Sequence, residues 1–492
     1  MPDPPLAPDA PVTGVVDPVV LAVRDRLQAG DHLTALREAE AASARHPDLA
    51  FYTLLAGTVA RDAGLEAVAM RWFERTLALD PAQPEALAWL AAVRRRRGEP
   101  EVALALAEEA LRVRPGHAEA LLALAQARYD LGDEAGALAA LDVHAAHHGE
   151  TPAAGWVRAF AQLALERFDD GWRLHEHRLA LAAGSASAPA AHGTPWTGEP
   201  LAGRSITVVA EQGLGDQMMM ARFAHGLRAC GAARIVLEAG APLVPLLRTM
   251  TVVDQVIPRG EPLPVTDYVV PVSSLAHRLG VGRDLYAHVV PYVSATGPCP
   301  PALAAALAAP APLRIGLVWG GEPRNFSDHE RSVPLAAFAP LLRLPGLAWY
   351  ALQKGPRAAE RDALPAEVRA RLIDLGPHLG DFQDTAHAMA TLDLVITVCT
   401  SVAHVAGALG VPTFVLLRRA ADWRWFRDRD DSPWYPTVRL FRQTTRGDWA
   451  PVLRDVARAI VDRLRADPPT GIPGRRRPAN AGERRRVSRR TA

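Results

Sequence analysis

The sequence predicts an α-helical solenoid followed by two α/β domains with parallel sheets. The solenoid is indicated by a 34-residue repeat in the first third of the chain. The α/β domains are indicated by short apolar runs that alternate with helical stretches after residue 200, since this alternation is typical of parallel sheets. A segment rich in Ala, Gly, Ser and Pro separates the two parts and predicts a linker over 182–200.

Three residue types share the period of the solenoid. They are the glycines Gly30, Gly64, Gly98 and Gly132, the alanines Ala35, Ala69, Ala103 and Ala137, and the prolines Pro47, Pro81 and Pro115. Helix, glycine turn, helix and proline stop at this spacing define tetratricopeptide repeats. We therefore expect a tetratricopeptide solenoid over 17–181. Its last helical pair carries Glu166 where the glycine would fall.

Ten apolar runs in the remainder predict strands, four in a domain over 201–300 and six in a domain over 312–465. The predicted strands are 205–210, 234–238, 253–257, 268–272, 313–319, 348–353, 372–374, 393–398, 413–417 and 438–441. Two doubly wound domains with a cleft between them would bind ligands at the carboxyl ends of their strands.

Composition is that of an ordinary soluble globular protein, with 49% apolar and 22% charged residues. No apolar run reaches the roughly 18 residues of a membrane span. Cys230, Cys299 and Cys399 are too few and too scattered for a disulfide framework or a zinc site. The first 18 residues lack the basic and apolar regions of a signal peptide, so we expect a cytoplasmic protein.

The net charge of +1 is unevenly distributed along the chain. Residues 466–492 hold eight Arg against Asp467 and Glu483, which makes this tail +6 and the rest of the chain −5 (1 − 6). We expect this basic tail and residues 1–16 to be disordered. The tail alone suggests contact with nucleic acid or anionic lipid. A solvated tail is the interpretation that we favour, so nucleic acid is not an expected partner.

The first candidate loop, 208–216, runs from an apolar strand through a glycine turn to an acid. Gly213 and Gly215 would allow tight backbone turns beside a donor phosphate. Asp216 begins the next helix, where it is either an N-cap or a carboxylate that deprotonates an acceptor hydroxyl. Glu211, at the strand end, is a second carboxylate that would share the catalytic role.

The second candidate loop, 398–412, runs from a strand into a helix that begins at Thr400 and Ser401. Backbone N–H groups, two hydroxyls and the helix dipole at such a start suit a diphosphate. His404, one turn further on, would donate to a phosphate or sugar oxygen, or is a buried histidine satisfied by the backbone.

Cations at neighbouring strand ends predict a phosphate pocket in the second α/β domain. Arg324 and Arg331 follow its first strand and Lys354 follows the next one. Lys354 is the only lysine among the 55 Lys and Arg residues, which favours a site that needs a compact ammonium. The aromatic stretch 422–435 either stacks a base or sugar, or packs a long connection against the core.

These motifs together resemble a known family. The segments 211–216, 316–320, 352–355, 400–404 and 422–425 resemble bacterial proteins that join tetratricopeptide repeats to a glycosyltransferase domain of the heptosyltransferase type, family 9. The resemblance covers roughly 17–465 and implies a GT-B fold of two Rossmann-like domains. It also implies inverting transfer from a nucleotide-diphosphate sugar, without a cofactor or a required metal.

The resemblance assigns roles to several residues. It makes Asp216 the general base and places the donor on Thr400, Ser401 and His404. It implies that Lys354 or Arg331 binds the diphosphate of the donor. The family usually has Asp just before this threonine, whereas this chain has Cys399, and a thiol is a poor hydrogen-bond acceptor.

Two functions are therefore weighed. The first is an inverting glycosyltransferase whose solenoid recruits a protein or glycan acceptor. The second is a non-catalytic interaction scaffold with a degenerate transferase domain. The second hypothesis is favoured by Cys399, and the first by the intact Asp216, His404 and Lys354.

Overall fold

The computed structural model describes residues 17–181, 192–308, 311–323 and 328–466. Within these ranges a helical solenoid is followed by two parallel-sheet α/β domains, which confirms the predicted fold class. The two termini predicted to be disordered, the linker residues 182–191 and Arg324 lie outside the described residues.

The solenoid consists of antiparallel helices joined by short turns. They are α1 (Pro18–Gln28), α2 (His32–Arg45), α3 (Ala50–Asp62), α4 (Glu66–Leu79), α5 (Pro84–Arg96), α6 (Pro100–Val113), α7 (Ala118–Leu131), α8 (Glu134–His148), α9 (Pro152–Ala164), α10 (Phe168–His175) and α11 (His177–Leu181). The four periodic glycines have left-handed φ angles of 72° to 83°, and the four periodic alanines are fully buried between paired helices. Glu166 takes the same turn at φ 58°, a conformation that costs a residue with a Cβ about 1–2 kcal/mol.

The first α/β domain has a five-stranded parallel sheet in the order β1-β5-β2-β3-β4. Its strands are β1 (Thr194–Pro195), β2 (Ser205–Val209), β3 (Arg234–Ala239), β4 (Gln255–Pro258) and β5 (Tyr268–Pro271), and its helices are α12 (Leu214–Ala221), α13 (Ala224–Ala229), α14 (Val244–Leu247), α15 (Leu275–Arg278) and α16 (Pro301–Ala306). The four predicted strands lie within two residues of β2 to β5. Within the predicted linker 182–200, Thr194 and Pro195 pair with β5 as an edge strand.

The second α/β domain has a six-stranded parallel sheet in the order β11-β10-β9-β6-β7-β8. Its strands are β6 (Leu313–Val318), β7 (Leu347–Ala351), β8 (Leu372–Asp374), β9 (Leu394–Val398), β10 (Thr413–Leu417) and β11 (Val438–Arg442), and its helices are α17 (Asp328–Arg331), α18 (Ala339–Leu342), α19 (Ala366–Arg369), α20 (Phe382–Thr391), α21 (Ser401–Ala408) and α22 (Ala450–Ala466). All six predicted strands are present to within two residues. The apolar sequences of the inner strands β9 and β10 follow from their burial on both faces of the sheet.

The two α/β domains share a buried contact centred on Arg222, which follows α12. The guanidinium is fully buried, donates from Nη1 to the carbonyl of Trp434 at 2.6 Å and lies 4.4 Å from the centroid of the Tyr435 ring. A buried Arg loses hydration, so carbonyl acceptors and aromatic faces must replace that water. This contact ties the helix that follows β2 to the second domain.

The solenoid is anchored on the second α/β domain through its intra-repeat turns. Arg427 donates from Nε to Glu134 at 2.6 Å, and Arg429 donates from Nη1 to Glu166 at 2.8 Å. Arg446 donates to the carbonyl of Gly98. The carboxylate of Glu166 thus forms an ion pair with Arg429, at the same turn where the backbone of Glu166 is strained. These contacts fix repeats three to five against the domain.

Candidate functional site

The two candidate loops meet between the α/β domains. Helix α12 starts after β2 and helix α21 starts after β9, so both begin at carboxyl ends of parallel strands. A Cβ atom on Gly215 would lie 3.0 Å from Cδ2 of His404 and 3.3 Å from Cα of Ser401. A side chain at position 215 would crowd these atoms, so Gly215 suits the close approach of the two helices.

The turn in the first loop is not made by its glycines, contrary to the sequence prediction. Gly213 has an ordinary φ of −81°, and Gly215 lies within the first turn of α12. The left-handed residue is Gln212, with φ 62°. The prediction assigned the turn to glycine because glycine tolerates positive φ, and it overlooked the packing reason for Gly215.

Asp216 uses its two carboxylate oxygens in different ways. It is the third residue of α12 and not the N-cap, which is Gly213. Oδ2 accepts the backbone N–H of Gly213 at 3.1 Å, while Oδ1 forms an ion pair of 2.5 Å with Nη2 of Arg424. One oxygen therefore stabilises the start of the helix, and the other points to the second domain.

Arg424 is the residue of this site to which sequence analysis gave no role. Its side chain is 13% exposed, and its guanidinium also donates from Nη1 to Asp422 at 2.7 Å and lies 4.2 Å from the centroid of Trp423. Burial alone would lower the pKa of Arg424, but the Asp216 and Asp422 carboxylates raise it above its usual value. Arg424 is thus a permanent cation shared by both domains.

The start of α21 is organised around Thr400. Thr400 is the N-cap, and its Oγ1 accepts the backbone N–H of Val402 at 3.3 Å. The neighbouring Cys399 accepts a hydrogen bond from Nε1 of Trp425 at Sγ, at 3.0 Å. Burial raises the pKa of the Cys399 thiol, so this group is neutral near pH 7. Cys399 thus fixes the position of Trp425, the residue that follows Arg424.

His404 is held by protein groups beneath the contact between the loops. It is 4% exposed, its Nδ1 is 3.0 Å from the hydroxyl of Tyr435, and its ring stacks on Trp425 at a centroid distance of 5.3 Å. Burial lowers its pKa to about 3, with a smaller contribution from the charge of Arg424. His404 is therefore neutral near pH 7. Its partner is a side-chain hydroxyl and not the backbone that was predicted as the alternative to a ligand.

The buried, neutral state of His404 predicts how stability depends on pH. An unfolded histidine binds a proton below about pH 6.5, whereas folded His404 resists protonation down to about pH 3. Between these values the unfolded state binds more protons, so the free energy of unfolding falls as pH falls, by up to about 1.4 kcal/mol per unit. Urea unfolding measures the free energy of unfolding at about pH 7 and about pH 5. The decrease between the two pH values should be larger in the wild type than in His404→Gln by about 2 kcal/mol. Equal losses would contradict a neutral buried His404.

Glu211 occupies an ion pair. Its Oε1 accepts from Nη2 of Arg178 at 2.6 Å and from the backbone N–H of Ser273 at 2.9 Å. Arg178 belongs to α11 and is 5% exposed, so the pair joins the end of the solenoid to the first α/β domain. These contacts favour a structural role for Glu211 over the shared catalytic role that the sequence suggested.

The two predicted diphosphate cations have different surroundings. Arg331 is 19% exposed and donates from Nε to Asp328 at 3.2 Å, and its charge acts on Cys399 beside Thr400. Lys354 is exposed after β7, where its Nζ donates to the carbonyl of Leu379. The structure therefore favours Arg331 as the cation associated with the start of α21.

No cluster of three or more His, Cys, Asp or Glu side chains in the ranges that the structure describes is arranged to hold a metal ion. Among the same residues, no helix is long and apolar enough to cross a membrane. Independence of a metal stays a prediction.

Known proteins resemble parts of this chain. Residues 62–144 match the family model of anaphase-promoting complex, cyclosome, subunit 3. Protein FlbA of Caulobacter vibrioides is 29% identical over an alignment of 333 residues, and the match covers 62% of this chain and 54% of FlbA. The chain thus spans about half the length of that relative.

Solved structures resemble each half of the molecule. The E. coli ADP-heptose LPS heptosyltransferase II is 17% identical with a TM-score of 0.38, over 53% of this chain and 98% of that one. A tetratricopeptide-repeat protein of Thermus thermophilus is 21% identical with a TM-score of 0.29, over 34% of this chain and 91% of that one. The order of helices and strands itself establishes a helical-repeat solenoid before two parallel-sheet α/β domains.

Proposed function

We propose that this protein is an inverting glycosyltransferase that moves a sugar from a nucleotide-diphosphate donor to a hydroxyl of a protein or glycan. The observation that carries this proposal is the position of Asp216. Its carboxylate lies at the carboxyl end of a strand in one domain and is paired across the domain contact with Arg424, beside the start of α21. A base and an anion-binding helix start facing each other are the two parts that this reaction needs.

The proposed reaction is a single displacement. The acceptor hydroxyl gives its proton to Asp216, and its oxygen forms a bond to the anomeric carbon. The bond from that carbon to the diphosphate oxygen breaks, and its electron pair leaves with the nucleoside diphosphate. The N-terminus of α21, with Thr400 and Ser401, and the guanidinium of Arg331 stabilise the charge on the leaving group.

The solenoid would present the acceptor to this site. Stacked helix pairs offer a long surface for a protein or glycan partner. The contacts of Glu134 and Glu166 with Arg427 and Arg429 hold that surface in a fixed relation to the site. A fixed relation favours delivery of a bound acceptor over recruitment on a flexible arm.

The proposal is tested by a panel of ADP-, GDP-, UDP- and dTDP-linked sugars together with their free diphosphates. The ligands that carry one particular nucleobase should selectively raise the melting temperature of the wild type, since a ligand that binds the folded state stabilises it. The same ligand should give a smaller rise in Thr400→Ala. Transfer is then measured with the sugar that binds, as release of the free nucleoside diphosphate in the presence of a candidate acceptor.

A non-catalytic scaffold is the second candidate, and the contacts of Cys399 favour it. The Cys399 thiol is engaged with Trp425 at the position where the family that the sequence resembles usually has Asp. A scaffold would show no rise in melting temperature with any member of the panel. That result, obtained on folded protein, would contradict the transferase hypothesis and support the scaffold hypothesis.

A further inference from the structure

We propose that Arg424 exchanges partners during the reaction, leaving Asp216 for the diphosphate of the donor, so that donor binding frees the base. This inference rests on the proposed transferase function. It adds a residue that orders the binding steps. In the structure the base is ion-paired, with 2.5 Å between Oδ1 of Asp216 and Nη2 of Arg424. The pair occupies this oxygen of Asp216, so it is not open to the hydroxyl of an acceptor.

The position of Arg424 places it within reach of both partners. It precedes Trp425, whose indole donates to Cys399, and Cys399 immediately precedes the N-cap of α21. The charge of Arg424 acts on both Cys399 and His404. Gly215, the neighbour of Asp216, closely approaches Ser401, so the Asp216–Arg424 pair borders the start of α21 where a diphosphate would bind.

The bonding of Arg424 leaves capacity for a new anion. A guanidinium carries five N–H donors, and the Nε of Arg424 is buried without a hydrogen-bond partner in the described part of the chain. Its single positive charge is shared between Asp216 and Asp422. A diphosphate offers more charge and several oxygens, and Arg binds phosphate in a bidentate manner.

The exchange has a consequence for the order of binding. Before the donor binds, the pair with Arg424 holds Asp216 in place but occupies the oxygen that faces the second domain. After the donor binds, that oxygen is free for the acceptor hydroxyl. The base is therefore available when a donor is in place, and the donor is expected to bind first.

The experiment measures the affinity of free ADP, GDP, UDP and dTDP by calorimetry, with the full chain and three variants. The exchange predicts that Asp216→Asn binds the preferred diphosphate about tenfold more tightly than the wild type, since the competing carboxylate is gone. Arg424→Gln should bind it about tenfold more weakly. In the Asp216→Asn, Arg424→Gln double variant, the gain from Asp216→Asn should disappear.

Two controls make the result specific. Asp254→Asn removes another carboxylate of the first α/β domain that is paired with an arginine, Arg228 at 2.5 Å, and it should leave the affinity unchanged. Arg424→Lys keeps the charge without the forked donors, and it reports on Arg424 if Arg424→Gln does not fold. Its affinity should fall between those of the wild type and Arg424→Gln.

The possible outcomes separate the inference from the function on which it rests. If a diphosphate binds and Asp216→Asn leaves its affinity unchanged or weaker, the exchange is wrong and the transferase proposal stands. If none of the four diphosphates binds to either the wild type or Asp216→Asn, both proposals are overturned. A mere loss of structure in the variant does not raise affinity, so tighter binding supports the exchange.

Discussion

Asp216→Asn is expected to lower the rate of sugar transfer by about 10²- to 10⁴-fold, which is the usual contribution of a general base. The amide has nearly the same shape as the carboxylate, and its oxygen can still accept the backbone N–H of Gly213 at the start of α12. It has no basic oxygen for the proton of the acceptor. Turnover with a saturating donor and acceptor measures the loss, while the melting temperature checks that the fold is retained.

Glu211→Gln is the matched control, because Glu211 is the other carboxylate of the same loop. It is paired with Arg178, so its replacement should lower stability and leave most of the turnover of the folded protein. Full activity in Asp216→Asn would rule out Asp216 as the base. Loss of turnover in stable Glu211→Gln, with activity retained in Asp216→Asn, would move that role to Glu211.

The strands and repeats could be predicted because their signals are local. The six parallel strands of the second α/β domain appear in the sequence as short, mainly apolar runs, and the sheet has them within two residues. The 34-residue period identified the turns at Gly30 to Gly132 in the same way. The edge strand β1 was missed because it has two residues, too few to show any period.

The partners within the site could not be predicted, since they join residues far apart in the sequence. Asp216 and Arg424 are separated by most of both α/β domains, and neither position alone indicates a pair. The motif 422–425 contributed to the family resemblance, yet its arginine had no assigned role. The packing around Gly215 could not be predicted for the same reason, because its neighbours His404 and Ser401 are distant in the sequence.

The anchoring of the solenoid was the largest feature that sequence patterns did not show. A repeat period describes how helices stack, but it carries no information on what the turns contact. The structure uses Glu134, near the start of α8, and Glu166, in the turn before α10, as ion-pair partners of the second α/β domain. Both look like ordinary solvated acids of a helix start in the sequence.

Trp172→Ala is expected to reduce the free energy of unfolding by about 3–5 kcal/mol, the usual cost of removing a large buried aromatic side chain. Trp172 belongs to α10 of the solenoid and is 2% exposed. Its Nε1 donates to the carbonyl of Val281 in the first α/β domain at 2.9 Å, and its ring packs edge-on against Trp423 of the second at 5.5 Å. One indole therefore contacts all three parts of the molecule.

Calorimetric unfolding should reveal this role directly. We expect that Trp172→Ala separates the unfolding of the solenoid from that of the α/β domains, because the side chain that couples them is gone. Trp72→Ala is the matched control, since Trp72 donates to Glu40 within the solenoid. One unchanged transition in Trp172→Ala would contradict the coupling. Because Trp423 also stacks on Arg424, the variant should displace the guanidinium that we propose binds the diphosphate, so stability and diphosphate affinity should fall together.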